Sequence, residues 1–169
     1  MPRKIRTIRI DGNIAYVPLT KGYEAIIDAE DVPIIGKWNW TAHVSPHTTY
    51  AKRAENNGQK HQTIYMHRFL VGGVGDLQVD HKDCIGLNNR RGNLRVAGPS
   101  ENSQNQKTRK NNTSGFKGVS FEADTGKWIA QIRIDGKKVR LGSFETPELA
   151  HAAYSDASKK YHGYFGRAS

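Results

Sequence analysis

Asp80 and His81 stand side by side in the stretch VDHKDCIGLNNRRGNLRVAGPSEN, which runs on through Asn93 to Asn102. An imidazole with an ordinary pKa of about 6.5 is largely neutral near pH 7 and able to accept a proton. The carboxylate of Asp80 and the amide of Asn102 are hard oxygen donors. They suit Mg²⁺ or Mn²⁺, cations that keep several waters and take substrate oxygens in their open positions. A base that activates water, beside a cation that stabilises charge on a phosphate and its leaving oxygen, is what hydrolysis of a phosphodiester requires. Adjacent side chains on an extended strand point to opposite faces, so Asp80 and His81 can serve one site only if the chain turns there. The end of a strand is the expected place.

The elements around this pair read as short strands. Residues 8–18, IRIDGNIAYVP, form two β-branched and aromatic runs about Asp11-Gly12-Asn13, which is hairpin chemistry. YEAIID from Tyr23 is strand-like, and AEDVPIIGKW after Asp28 carries an N-cap, acidic first-turn residues and Pro33 near its start, which predicts a short helix. Strands are expected around Trp38 to Val44 and Thr48 to Ala54, with Ser45-Pro46 as the turn between them. Asn56-Asn57-Gly58 then interrupts the chain before QTIYMHRFLVGG. Trp38 and Trp40 read as core residues.

From Ser100 to Gly118 the composition changes to a polar, basic segment whose Lys107, Arg109, Lys110 and Lys117 face only Glu101. A solvated hinge and a strap along a phosphate backbone are compatible readings of it. Beyond it come three β-rich runs separated by Thr125-Gly126 and Asp135-Gly136, an antiparallel meander. A helix follows: Thr146 caps it, Pro147 takes the first position, and Leu149, Ala150, Ala153, Tyr154 and Ala157 make an apolar stripe.

The formal charge of +10, from 26 Lys and Arg against 16 Asp and Glu, points to a polyanionic partner, because neutralising phosphates releases condensed counterions. The single cysteine, Cys84, excludes an internal disulfide and the Cys-rich zinc frameworks, so no structural zinc is expected. Cys84 reads as a small packed residue rather than a nucleophile. No run approaches the roughly 20 apolar residues that would span a bilayer, and the basic N-terminus lacks the apolar stretch of a secretory signal. A cytosolic protein that is not secreted and has no membrane partner is expected.

Asp80-His81, Asn93-Leu94-Arg95 and the Asn of PSEN, with YMHRF upstream, resemble the HNH, or ββα-metal, nucleases over roughly residues 60–110. VPLTKGY and the segment after it resemble the N-terminal part of phage and intron-encoded HNH homing endonucleases. The resemblance implies that Asp80 and Asn102 hold one divalent cation, Mg²⁺ or Mn²⁺, that His81 is the base, and that Asn93 fixes the metal loop by hydrogen bonds. It also implies a bacterial or phage-infected host cytosol. Cys84 and Ile85 stand where Gly and Asn are common in that loop. Arg90, Arg91 and Arg95 are candidate phosphate clamps, and His67 is either close to the site or a satisfied structural histidine.

GFKGVSFEADTGKWIAQIRIDGKKVRLGSFETPELAHAAYSDASKKYHG resembles the apetala-type, ethylene-response-factor DNA-binding domain, in which the sheet lies in the major groove of double-stranded DNA. Trp128, Ala130, Ile132 and Ile134 share one strand face and Lys127, Ile129, Gln131 and Arg133 the other. With the helix covering the first face, Lys117, Lys127, Gln131, Arg133, Lys138 and Arg140 are expected to contact DNA, joined by Lys107, Arg109 and Lys110 of the basic segment.

The expected fold is thus α+β. A β-rich N-terminal segment (1–60) precedes a ββα-metal nuclease core (61–107), a basic linker (108–114) and a three-stranded antiparallel sheet with one packed helix (115–169). The expected function is a metal-dependent DNA endonuclease of homing type. The alternative is a non-catalytic DNA-binding regulator with a degenerate HNH unit. One site per chain suggests that a monomer nicks one strand, whereas cutting both would require a dimer or two successive events, and no sequence feature decides between them.

Overall fold

β1 (Arg9–Asp11) and β2 (Ile14–Pro18) pair across the two-residue turn Gly12-Asn13, and β3 (Glu24–Asp28) completes an antiparallel sheet in the order β1-β2-β3. Ala15 and Val17 of β2 and Ala25 and Ile27 of β3 are buried at every second position, the period of a half-buried strand. A 3-10 turn, Ala29–Asp31, leads into the short helix α1 (Val32–Ile35), which has Pro33 at its start. β4 (Thr41–Val44), β5 (Thr49–Asn56) and β6 (His61–Tyr65) form a second antiparallel sheet. Helix α2 (Met66–Val71) leaves directly from β6, and β7 (Gln78–His81) and β8 (Leu94–Ala97) form a separate two-stranded hairpin.

These elements share one core. Ala15, Val17, Ile27, Ile35, Trp40, Ala51, Met66, Leu70 and Leu94 are buried in a single cluster. The chain divides into two compact units, Met1–Ala97 and Gly98–Ser169, and the computed structural model describes residues 4–56, 58, 61–105, 108 and 112–166. The boundary expected at residue 60 falls inside the first unit. The N-terminal sheet cannot bury Ala25 and Ile27 without a partner layer, and Met66, Leu70 and Leu94 help to supply it.

The second unit opens with helix α3 (Pro99–Asn105), which takes up residues of the expected nuclease core. Glu101 reaches back so that its Oε2 accepts the Gly98 N–H at 2.7 Å, half of a capping box. β9 (Val119–Glu122), β10 (Lys127–Ile134) and β11 (Lys137–Phe144) form the meander in the order β11-β10-β9. At the tight turn between β10 and β11, Asp135 and Gly136 both take positive φ, 48° and 78°, as Asp-Gly does in hairpin turns that follow the strand twist. Helix α4 (Pro147–His162) starts where Thr146 Oγ1 accepts the Leu149 N–H at 3.3 Å. It lays Ala150, Tyr154 and Ala157 on Val119, Ala130 and Ile132 of the sheet.

Candidate active site

Asp80 and His81 are the last two residues of β7, and both are buried. The chain turns immediately after them, with the Cys84 N–H donating to His81 O at 2.9 Å. The loop from Lys82 to Asn93 is held from three directions. Asn93 closes it from within: its Nδ2 donates to Asp83 Oδ1 at 2.9 Å and to Asn88 O at 2.8 Å, and its Oδ1 accepts the Asp83 N–H at 3.2 Å. From β3, Ile26 exchanges backbone hydrogen bonds with Leu87 and Asn89 at 2.8 and 2.7 Å. From β5, the loop is approached so closely that a Cβ on Gly86 would lie 2.6 Å from Thr49 O and 2.7 Å from the Tyr50 ring, so only glycine fits there. Cys84 takes a left-handed φ of 59°, a conformation that glycine adopts without strain.

Asp83 is the hub of this loop. Partial burial pushes its carboxyl up, but hydrogen bonds from the Ile85 N–H, Asn88 and Asn93 outweigh that and hold it below the usual range.

The fold gathers aromatic rings around His81 from three other elements. Ring centroids lie 5.1 Å from His81 to His67 of α2 and 5.9 Å from His81 to Tyr50 of β5. Tyr65, at the end of β6, is 5.6 Å from His67. Burial is the main force lowering the His81 pKa, against the hydrogen bond to Asn89 and the charges of Asp83 and Asp80. Burial, then His81, then Arg68 push His67 down to about 3. Tyr50 is raised, first by burial and then by Asp80.

Asn89, fully buried, faces one imidazole nitrogen of His81. Its Nδ2 donates to Leu87 O at 3.0 Å, which turns Oδ1 toward His81 Nε2 at 3.4 Å. Oδ1 can only accept, so in this contact Nε2 is the donor, which corresponds to the tautomer with its lone pair on Nδ1. Neither Asn89 nor Tyr50 stands out in the sequence. Asn89 is one of several asparagines in the loop, and Tyr50 reaches the site only because β5 packs there.

Asp80 is bound by an arginine. Arg95, opposite it across the β7–β8 hairpin, donates from Nε at 2.9 Å and from Nη2 at 2.7 Å to Oδ2 of Asp80. Both side chains are nearly sealed from solvent, at 9% and 8% exposure. Arg90 and Arg91 are paired as well. Arg90 Nε donates to Asp28 Oδ1 at 2.8 Å, and Arg91 spans Asp31, with Nη2 at 2.7 Å from Oδ1 and Nε at 3.1 Å from both oxygens. These pairs fasten the loop to the end of β3 and the 3-10 turn after it.

Among the described residues no group of three or more His, Cys, Asp and Glu side chains could hold a metal, so no zinc-type cluster exists there. A hard cation that keeps most of its waters needs only one or two protein oxygens. A buried carboxylate can supply one such oxygen, with Arg95 as the competing partner; Asp80 and His81 are successive rungs of the β7–β8 ladder, and the chain turns only after them.

Asn102 lies on α3 in the second unit, where its N–H donates to Gly98 O at 3.0 Å. Lys107, Arg109 and Lys110 lie outside the described residues. Lys117 Nζ donates to Gln104 O at 2.5 Å. On the sheet, Gln131 stands opposite Arg140 and Arg133 opposite Lys138, after a register shift between Ala130 and Gln131. Directly opposed residues share a face, and this one is turned from the cluster of Ala130, Ile132 and α4. Two of its cations are paired with carboxylates: Arg140 forks onto Glu122 at 3.1 Å, and Lys127 meets Glu145 at 3.0 Å. Arg133 and Lys138 are exposed, and Arg133 Nη1 donates to Gly136 O at 3.3 Å.

Protein 3.8 of Escherichia phage T7 is 38% identical to the chain over 89 residues, which cover 53% of the chain and 73% of the phage protein. The chain belongs to the family of phage T7 protein 3.8. A more distant similarity, 29% over 146 residues, links this family member to an "Uncharacterized HNH endonuclease" of Acanthamoeba polyphaga mimivirus, across 86% of the chain and 74% of the viral protein. An AP2-like ethylene-responsive transcription factor of Arabidopsis thaliana is 41% identical over 51 residues, 30% of the chain but 10% of the plant protein. No family model matches, and no solved structure matches significantly.

Proposed function

We propose that the chain is a DNA endonuclease of the HNH homing type that hydrolyses phosphodiester bonds with His81 as the base. The observation that supports this reading is the buried Asn89–His81 contact, in which an amide oxygen that can only accept makes Nε2 the donor and Nδ1 the basic nitrogen. In the step, Nδ1 of His81 takes a proton from water as the water oxygen attacks phosphorus. The bond from phosphorus to the leaving oxygen breaks, and that oxygen is reprotonated from solvent. Asp80 would hold Mg²⁺ or Mn²⁺, the cations that the family resemblance implies on sequence alone. When bound, the cation would stabilise charge on the phosphate and the leaving oxygen. The sheet face of Gln131, Arg133, Lys138 and Arg140 is the proposed contact with double-stranded DNA.

Supercoiled plasmid should be nicked or linearised by the protein with Mg²⁺ or Mn²⁺ and left intact with EDTA. His81→Ala should lose about 10²- to 10⁴-fold in rate while duplex binding is retained. Wild-type rates in that variant would remove His81 from the chemistry. A second reading, a DNA-binding regulator without catalysis, is favoured by the arginine seated on Asp80. It predicts duplex binding with intact plasmid under every metal condition.

A further inference from the structure

Arg95 and Asp80 occupy directly opposed positions on β7 and β8, so their side chains leave the hairpin on the same face. Arg95 Nε and Nη2 both donate to the same carboxylate oxygen of Asp80, at 2.9 and 2.7 Å, and less than a tenth of either side chain is exposed. A divalent cation brought to Asp80 would therefore sit against a guanidinium in a poorly solvated place, with one carboxylate between two positive charges. Such an arrangement is strongly repulsive where water screens little. The guanidinium must have another anion to turn to. A backbone phosphate matches its fork of donors as well as a carboxylate does.

From this we propose that Arg95 controls entry of the cation to Asp80. In the DNA-free protein it holds the carboxylate and keeps cation affinity low, and on DNA it transfers to a phosphate and releases Asp80 to the metal. The inference rests on the nuclease reading of Asp80. It makes Arg95 a positioning residue that couples DNA binding to metal binding, and the coupling is reciprocal: whatever factor DNA adds to cation affinity, the cation adds to DNA affinity. A nuclease built this way holds no cation at its carboxylate until a substrate is present.

The test is titration of the full-length, DNA-free protein with Mn²⁺, following free Mn²⁺ by electron paramagnetic resonance. Wild type should bind weakly. Arg95→Met keeps the length of the side chain but removes the competing charge, and should bind Mn²⁺ at least tenfold more tightly. The double variant Arg95→Met with Asp80→Asn should lose that gain. Arg95→Met removes a guanidinium from a buried carboxylate, so its melting temperature should rise with added Mn²⁺ by more than that of wild type. Arg95→Lys retains a cation without the fork and covers the case in which Arg95→Met does not fold. It should bind Mn²⁺ several-fold more tightly than wild type.

Unchanged or weaker Mn²⁺ affinity in whichever variant folds overturns the proposal, because an arginine that merely orients the carboxylate would leave affinity unchanged or lower on removal. If wild type cleaves plasmid with Mn²⁺ while the variants bind it no better, the control by Arg95 fails and the nuclease reading stands. If the variants bind Mn²⁺ more tightly but wild type never cleaves, the competition stands and the nuclease reading fails.

Discussion

His67 and His81 place two imidazoles 5.1 Å apart in a buried pocket of rings, where a charge on either would be costly. His67 is lowered to about 3, mainly by burial, whereas in the unfolded chain it titrates near 6.5. Between those two values the unfolded chain binds a proton that the folded chain refuses, so stability is full above about pH 6.5 and falls as pH drops toward 3. Each pH unit inside that window costs up to about 1.4 kcal/mol. His81 is lowered in the same direction and adds to the slope. Urea unfolding at pH 7 and pH 4.5 should show the wild type losing stability on acidification. His67→Phe, which keeps an aromatic ring among Tyr50, Tyr65 and His81, should shrink that loss by roughly 2 kcal/mol. An identical pH dependence in the two proteins would mean that His67 is not held neutral by its surroundings.

The loop from Lys82 to Asn93 is the element on which the site depends, and Asn93 is its internal tie. Asn93→Ala removes three hydrogen bonds to Asp83 and Asn88 and leaves a partly buried carboxylate with fewer donors. At about 0.5–1.5 kcal/mol for each bond, a loss of roughly 2–3 kcal/mol in urea unfolding is expected; a loss below about 0.5 kcal/mol would show that the loop is held by β3 and β5 instead. Much of this scale was legible in the residues. Gly12, Pro33, the Asp135-Gly136 turn and the Thr146 cap mark the ends of elements found at those places, because turn and cap chemistry is local. Helix α3, at the end of the expected core, is not legible in the sequence, although Pro99 and Glu101 carry an N-terminal signature, because its polar residues offer no apolar stripe. Residues whose types mark them as phosphate clamps, Arg90, Arg91 and Arg95, are each drawn to an aspartate. Asp28 and Asp31 lie about 60 positions away in sequence, and such pairing is set by the packing of β3 beneath the loop, which no local pattern encodes.

At the scale of the whole chain, two compact units carry different parts of the proposed activity, and their contributions to DNA affinity can be separated by charge. The positive excess of +10 gives any polyanion some affinity, and the salt dependence of binding counts the phosphates neutralised, at about 0.9 for each contact with duplex DNA. On the proposed DNA face, Arg140 and Lys127 already meet Glu122 and Glu145, so losing them would also disturb those pairs. Arg133 and Lys138 are exposed, face each other across β10 and β11, and lie on the side of the sheet turned from the buried Ala130 and Ile132. Arg133→Gln with Lys138→Gln should therefore leave folding intact and weaken duplex binding at low salt. The slope of log affinity against log salt should fall by about 2 if both contact phosphates. If one of them reads a base edge instead, the slope should fall by about 1 and the loss of affinity should depend on the duplex sequence. Binding to several duplexes across a salt series, measured by fluorescence anisotropy, distinguishes these outcomes. Equal slopes and affinities for wild type and double variant would remove this sheet face from the DNA interface and leave duplex affinity to the rest of the chain.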